Sequence, residues 1–258
     1  MGNLIVAKGL RKMFGRFEAV RGIDLIVPAG QVLGFLGPNG AGKSTTMRML
    51  TGFLEPSAGT VELCGIPLAE RPLEAKRTFG YLPEGAPAYL DMRVEEFLRF
   101  VAAARGYRRQ EARGRADAAM DRVNLRPYRR QVVDTLSKGY KRRTGLAQAL
   151  LHDPPILILD EPTDGLDPNQ KHEVRQLIRQ LGSDRAVVLS THILEEVEAV
   201  CTRAVIINEG RLAFDGTPAE LDARAPADVR SNRLDHVFRV LTTADTARTG
   251  TRSKGGAP

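Results

Sequence analysis

The run Gly37-Pro38-Asn39-Gly40-Ala41-Gly42-Lys43-Ser44 constrains this 258-residue chain more than any other stretch. It satisfies Gly-x4-Gly-Lys-Ser/Thr at every fixed position. A chain of this length and average composition would contain that pattern by accident about once in a hundred. Such a loop works only where a buried strand leads in and a helix leads out. Its glycines then let the backbone wrap a phosphate, with successive N–H groups pointing inward at the start of the helix. Val32 to Leu36 supplies an apolar strand and Lys43 to Leu50 a helix. Lys43 is expected to bring its charge to the β- and γ-phosphates of a nucleotide, and the Ser44 hydroxyl to ligate Mg²⁺. Gly37, Pro38, Asn39, Gly40, Ala41, Gly42 and Thr45 complete the expected lining.

A metal site of this type needs an acid on a neighbouring strand. Ile156-Leu-Ile-Leu-Asp160-Glu161 provides one, with Asp160 at the carboxyl end of an unbroken apolar run. Ligands of open α/β sheets bind at those strand ends. Asp160 is therefore expected to hold Mg²⁺, and Glu161, one residue on, to accept a proton from an attacking water.

The remaining pattern predicts the architecture. Further buried strands are expected at Ala186–Leu189 and Ala204–Ile207. Asp167-Pro168 caps a helix that carries Val174, Leu177, Ile178 and Leu181 on one face. Strands alternating with helices imply a mostly parallel sheet. The first quarter differs, with short β-rich pieces at Leu4–Ala7, Ile23–Val27 and Thr60–Leu63, which suggest an antiparallel flap. From Asp91 to about His152 the periodicity is helical, with Val94, Phe97, Leu98 and Val101 at i, i+3, i+4 and i+7. One more amphipathic piece covers Leu234 to Leu241, and the Thr-, Ala-, Arg- and Gly-rich end is expected to be disordered.

Composition removes several classes. No stretch approaches the roughly 18 uncharged apolar residues of a membrane helix, so a membrane role is expected to come through a partner. Two cysteines, Cys64 and Cys201, are too few for a disulfide scaffold and read as buried small hydrophobes. The net charge of +7 raises nucleic acid as a partner, but aromatics are only 5% with no tryptophan, so base-stacking platforms are not expected. Its arginine clusters, Arg105 to Arg130 and the tail, read as solvated helix faces.

Three more elements discriminate among nucleotide enzymes by their order. Leu136-Ser137-Lys138-Gly139-Tyr140 opens a helix shortly before the acidic strand. Asp164-Gly-Leu166-Asp167 follows Glu161, and His192 stands just past the strand Ala186–Leu189. With these motifs, residues 4 to 226 resemble the ATP-binding subunit of an ABC transporter. The resemblance implies an α/β P-loop NTPase: a RecA-like parallel core, an N-terminal antiparallel β subdomain and an inserted helical subdomain at about 85–152. An ATP-binding domain over 1–226, a C-terminal helical extension over 227–241 and a basic tail over 242–258 follow.

It also implies roles. Phe14 matches the aromatic that stacks on adenine. Leu136 to Tyr140 matches a signature motif usually read Leu-Ser-Gly-Gly-Gln, so Ser137 and Gly139 would face the γ-phosphate of ATP on another subunit. Lys138 and Tyr140 depart from that motif. His192 matches a switch histidine that helps hold Glu161 and water. Glu84 stands where a glutamine usually joins the metal site to the helical subdomain, and as a carboxylate it is expected to approach Mg²⁺. Gly80 to Leu90 resembles the export branch, including multidrug-type and gliding-motility-type ATPases. The implied protein pairs with an identical chain or a paralogue around two Mg-ATP, hydrolyses them, and drives a separate integral-membrane permease from the inner face of the cell membrane. The alternative is a soluble ABC-type ATPase acting on ribosomes or DNA. A switch GTPase is excluded by the missing Asn-Lys-x-Asp guanine reader.

Overall fold

The computed structural model describes residues 2–86 and 88–243. In chain order the strands are β1 (Asn3–Phe14), β2 (Phe17–Pro28), β3 (Gln31–Leu36), β4 (Ala58–Leu63), β5 (Ile66–Pro67), β6 (Phe79–Leu82), β7 (Ile156–Asp160), β8 (Ala186–Thr191), β9 (Arg203–Asn208) and β10 (Arg211–Gly216). The helices are α1 (Lys43–Leu50), α2 (Pro72–Ala75), α3 (Val94–Ala104), α4 (Arg109–Arg122), α5 (Lys138–Leu150), α6 (Pro168–Leu181), α7 (Leu194–Val200), α8 (Pro218–Ala223) and α9 (Arg233–Thr243).

Two sheets form. The larger runs β10-β9-β3-β8-β7-β6, parallel throughout except for the antiparallel β9–β10 pair at one edge. Every residue of β7 and β8 is buried, which is why both read as continuous apolar runs rather than alternating ones. Gly34 in β3 is hemmed in by Cys201, since a Cβ there would lie 2.8 Å from its sulfur. Burial pushes the Cys201 thiol up to about 12, so it behaves as a small apolar side chain. Cys64 departs from expectation. It lies half-buried in the tight β4–β5 turn at positive φ, where Gly65 also turns, and so is not a core residue.

The second sheet is antiparallel, ordered β2-β1-β4-β5. Its first two strands each span twelve residues, far beyond the short pieces expected. Register shifts between Ala7 and Leu10, and again between Lys12 and Met13, break the period-two pattern that marks a strand in sequence. The charged Lys8, Arg11 and Lys12 hide the continuation of the strand. Core residues Ile5, Ala7, Leu10, Ile23, Leu25 and Val27 pack this sheet onto α1 and one face of the larger sheet.

The other face is covered by a cluster that includes Leu157, Leu159, Val187, Leu189, Phe97, Leu98, Met120 and Leu146. Helices α3, α4 and α5 thus share one apolar core with the strands that end at Asp160. Helix α9 joins it through buried Leu234 and Val237. It also takes in Thr242 and Thr243, which the sequence assigns to the tail. Residues 244–258 of that tail lie outside the described part of the chain.

Candidate nucleotide-binding site

The loop between β3 and α1 is built by two close approaches. Gly42 is the N-cap of α1 at φ 107°, a conformation that favours glycine, and a Cβ there would fall 2.7 Å from the Ala19 carbonyl. Gly37 packs against the Ile207 carbonyl, which a Cβ would meet at 2.4 Å. No side chain caps α1 and its first turn carries no acid, so its leading N–H groups and positive dipole end face the loop uncompensated. Lys43 Nζ donates to the carbonyls of Gly37 at 2.6 Å and Pro38 at 3.2 Å. A cleft of about 250 Å³ opens over this loop, lined by Phe14, Phe17, Asn39, Gly40, Gly42, Lys43, Ser44 and Thr45.

The acids arrive from the neighbouring strands. Asp160 ends β7 and is 2% exposed, and Ser190 Oγ donates to its Oδ1. Glu161 follows at φ 51°, a strained value for a non-glycine residue. Its N–H donates to Ser190 Oγ at 3.1 Å, which ties the strained residue to β8. Its carboxylate oxygens lie 3.0 and 3.1 Å from His192 Nδ1. Burial raises the Glu161 carboxyl above the ordinary glutamate range, against the opposing pull of His192 and Lys43. A raised carboxyl is a better proton acceptor. Burial also holds the Lys43 ammonium below the usual lysine range, opposed by Glu161, Asp160 and Glu84. Three carboxylates from two loops therefore act on one lysine.

Glu84 is exposed, just past β6. Among the described residues no three His, Cys, Asp or Glu side chains converge as a metal-holding group. The donors here are one buried carboxylate, the half-buried Ser44 hydroxyl and the outlying Glu84. That sparse oxygen set suits Mg²⁺, which keeps several waters and takes the rest of its shell from phosphates, better than an all-protein calcium cage.

Ser137 and Gly139 are not among the residues lining this cleft. Ser137 caps α5, accepting from the Tyr140 N–H at 3.5 Å. Lys138 crosses to Asp164, with Nζ 2.8 Å from Oδ2. Tyr140, the second departure from the usual motif, turns onto Tyr128, their hydroxyls 2.7 Å apart and ring centroids 3.9 Å apart. One turn later Arg142, 6% exposed, donates to the carbonyls of Asp160 and Glu161 and to Pro83 O at 3.2 Å.

Two of these residues escape a reading of sequence alone. Phe17 faces Phe14 across the two-residue β1–β2 turn, as its paired partner. Its signal is the Phe-Gly-Arg-Phe spacing, which places two aromatics side by side only if a hairpin forms. Arg142 sits in Lys141-Arg142-Arg143, which looks like a solvated run, although Arg142 and Arg143 are both buried.

A family profile described as ABC transporter matches residues 20–164, more than half of the chain. The chain belongs to the ABC transporter family. It is an ATP-binding subunit of that family and an ATPase. Among curated ABC relatives, a Nod factor export ATP-binding protein I of Cupriavidus metallidurans is 36% identical over 231 residues, covering 89% of this chain and 76% of that one. A solved ATP-binding subunit of an ABC transporter superimposes with a TM-score of 0.82 at 30% identity, covering 92% of this chain and 99% of that one. A dimeric bacterial ABC transporter cassette shares the fold, with a TM-score of 0.77 at 23% identity over 83% of this chain and 98% of its own. Among the described residues of this ABC subunit, no helix is long and apolar enough to cross a membrane.

Proposed function

We propose that this ABC subunit binds Mg-ATP in the cleft over Lys43, that two such subunits close around two ATP molecules, and that closure drives a separate membrane permease in export. One observation carries the reading. The phosphate loop and the Glu161–His192 pair gather at the carboxyl ends of the parallel strands, whereas Ser137 and Gly139 do not line the cleft over that loop. In this reading a nucleotide in the cleft takes its remaining contacts from Ser137 and Gly139 of a second chain.

In this assembly Phe14 and Phe17 take the adenine, and the amides of residues 37 to 45 with Lys43 take the phosphates. Bound Mg²⁺, held by Ser44 and Asp160 with Glu84 within reach, would neutralise phosphate charge. Water attacks the γ-phosphorus as the bond to the bridging oxygen breaks, and its proton passes to Glu161. His192 holds that carboxylate in line. From the partner, Ser137, Gly139 and the leading turn of α5 meet the γ-phosphate. The ATP-binding unit spans 1–226 with its helical part at about 85–152, and the segment from 227 to the end of α9 forms an extension.

An exposed apolar patch supports a permease partner at the membrane's inner face. Tyr89, Leu90 and Phe100 are about half exposed, and the Tyr89 ring stacks edge-on against Phe100 at 5.2 Å and Phe97 at 6.3 Å. Such a cluster, a few residues from Glu84, is what a docking partner would cover. The name of the Nod factor export relative supports the export direction.

The mixed dimer tests the reading. Chains with Lys43→Ala and chains with Ser137→Arg are each inactive alone. Mixed, they concentrate both lesions in one composite site and leave the other intact, so ATPase activity returns in part. Absence of rescue, with heterodimers proven and a single-site control working, excludes composition in trans. A simpler measurement addresses the adenine face. Removal of a stacked ring costs about 1–3 kcal/mol. Phe14→Ala is therefore expected to weaken binding of a fluorescent ATP analogue roughly tenfold, with Phe17→Ala close behind. Unchanged affinity in both variants places the base elsewhere.

A further inference from the structure

Glu196, in α7, is the one acidic residue other than Asp160 among the described residues that is buried, with 2% of its surface exposed. Burying a carboxylate is costly unless its oxygens are bonded. Both are. Thr163 Oγ1 donates to Oε1, and Thr191 Oγ1 donates to Oε2 at 2.7 Å. Arg175 Nη2 stands 3.9 Å from Oε1 and offsets part of the charge. The two hydroxyls come from 3% and 0% exposed residues, one on the turn after β7 and one at the end of β8.

What matters is where those threonines lie. Thr163 is two residues past Glu161, on the turn where the Asp164 N–H donates to the Glu161 carbonyl at 3.1 Å. Thr191 directly precedes His192, and its Oγ1 also accepts from the Ile193 N–H at 3.1 Å, so it shapes the backbone on both sides of the histidine. Glu161 and His192 touch only through their side chains at about 3 Å, one of them from a strained backbone. Their separation is thus decided by how two loops are held relative to each other. Beyond the bonds from the Glu161 N–H to Ser190, which fix the backbone at its start, the Glu196 carboxylate bridges the two segments further along. An apolar residue could fill the same space, but it could not tie two hydroxyls to one fixed spacing.

We propose that Glu196 is a positioning residue for hydrolysis: it holds the loops of Glu161 and His192 in one register. The proposal rests on the reading of Glu161 and His192 as the reacting pair.

The test is a kinetic cycle on the full chain. Glu196→Gln keeps size and one acceptor oxygen, but puts an NH₂ where one of the two threonine hydroxyls now donates, so that hydroxyl loses its acceptor. We expect kcat for ATP to fall about tenfold, with affinity for a fluorescent ATP analogue within about twofold of wild type. Introduced into His192→Ala, where the pair no longer exists, the same change should cost less than about twofold. Thr191→Val should reproduce the loss of Glu196→Gln, and Thr191→Ser, which keeps the hydroxyl, should restore the rate. If Glu196→Gln does not fold, this Val/Ser comparison decides alone. Equal losses with and without His192, a loss confined to ATP affinity, or a Thr191→Val enzyme as fast as Thr191→Ser would each overturn the proposal. Glu161→Gln run in parallel separates the two levels: an active Glu161→Gln enzyme sinks the reading of the pair itself, whatever Glu196 does.

Discussion

Lys43→Ala is expected to abolish useful ATP binding while leaving a folded protein. Lys43 is 8% exposed, and its ammonium lies against the carbonyls of Gly37 and Pro38, the residues that would receive the phosphates. Charge-assisted hydrogen bonds to a phosphate are worth about 1.5–3 kcal/mol each, and this lysine would serve two phosphates. Losing about 3 kcal/mol or more corresponds to roughly 10²-fold in affinity. The glycine turns of the cradle remain, because they depend on Gly37 and Gly42, although the loop loses the ammonium's bonds to the Gly37 and Pro38 carbonyls. Three carboxylates, Glu161, Asp160 and Glu84, would then face the triphosphate without their shared cation. Equilibrium binding of a fluorescent ATP analogue measures the loss, and a thermal melt checks the fold. Tight binding by this variant would show that the loop is not the phosphate site.

Glu161→Gln should do the reverse, binding ATP well and hydrolysing it hardly at all. An amide of the same shape can still meet His192, so the pair geometry is largely kept, but it cannot take a proton from water. General-base assistance is worth about 10²–10⁴-fold in rate. The substitution also removes a negative charge from beside the γ-phosphate, which favours the closed, ATP-loaded dimer. Single-turnover hydrolysis should fall at least 10²-fold, and gel filtration with ATP should show a dimer that dissociates slowly. A variant as active as wild type would move the proton acceptor to another residue.

The parallel core and its chemistry are legible in the sequence for a simple reason. Strands buried on both faces spell themselves as apolar runs, and the loops at their carboxyl ends carry the reactive side chains within one or two residues. Asp160, Glu161 and His192 lie at such ends, and Lys43 opens the helix after the loop that follows β3. What depends on pairing is harder to read. Phe17 becomes a cleft residue only once the β1–β2 hairpin brings it opposite Phe14. The long strands of the antiparallel sheet are masked by their bulges. Arg142 and Glu196 are obscured for another reason. Each lies in a charged stretch of a helix, and only the three-dimensional placement of carbonyls and hydroxyls explains why a charge is buried there.

The grip of Arg142 on the carbonyls of Asp160 and Glu161 has a mechanical consequence. In the proposed dimer the first turn of α5 would meet the neighbouring subunit's nucleotide, while its second turn holds the strand end that carries Glu161. A displacement of α5 that begins at one nucleotide would therefore be delivered, through the Arg142 guanidinium among other contacts, to the other. In the proposed dimer this connection occurs twice and closes into a ring. Hydrolysis on one side should then alter the readiness of the other, and the two ATP molecules would be spent in sequence, as two strokes of one engine, rather than independently.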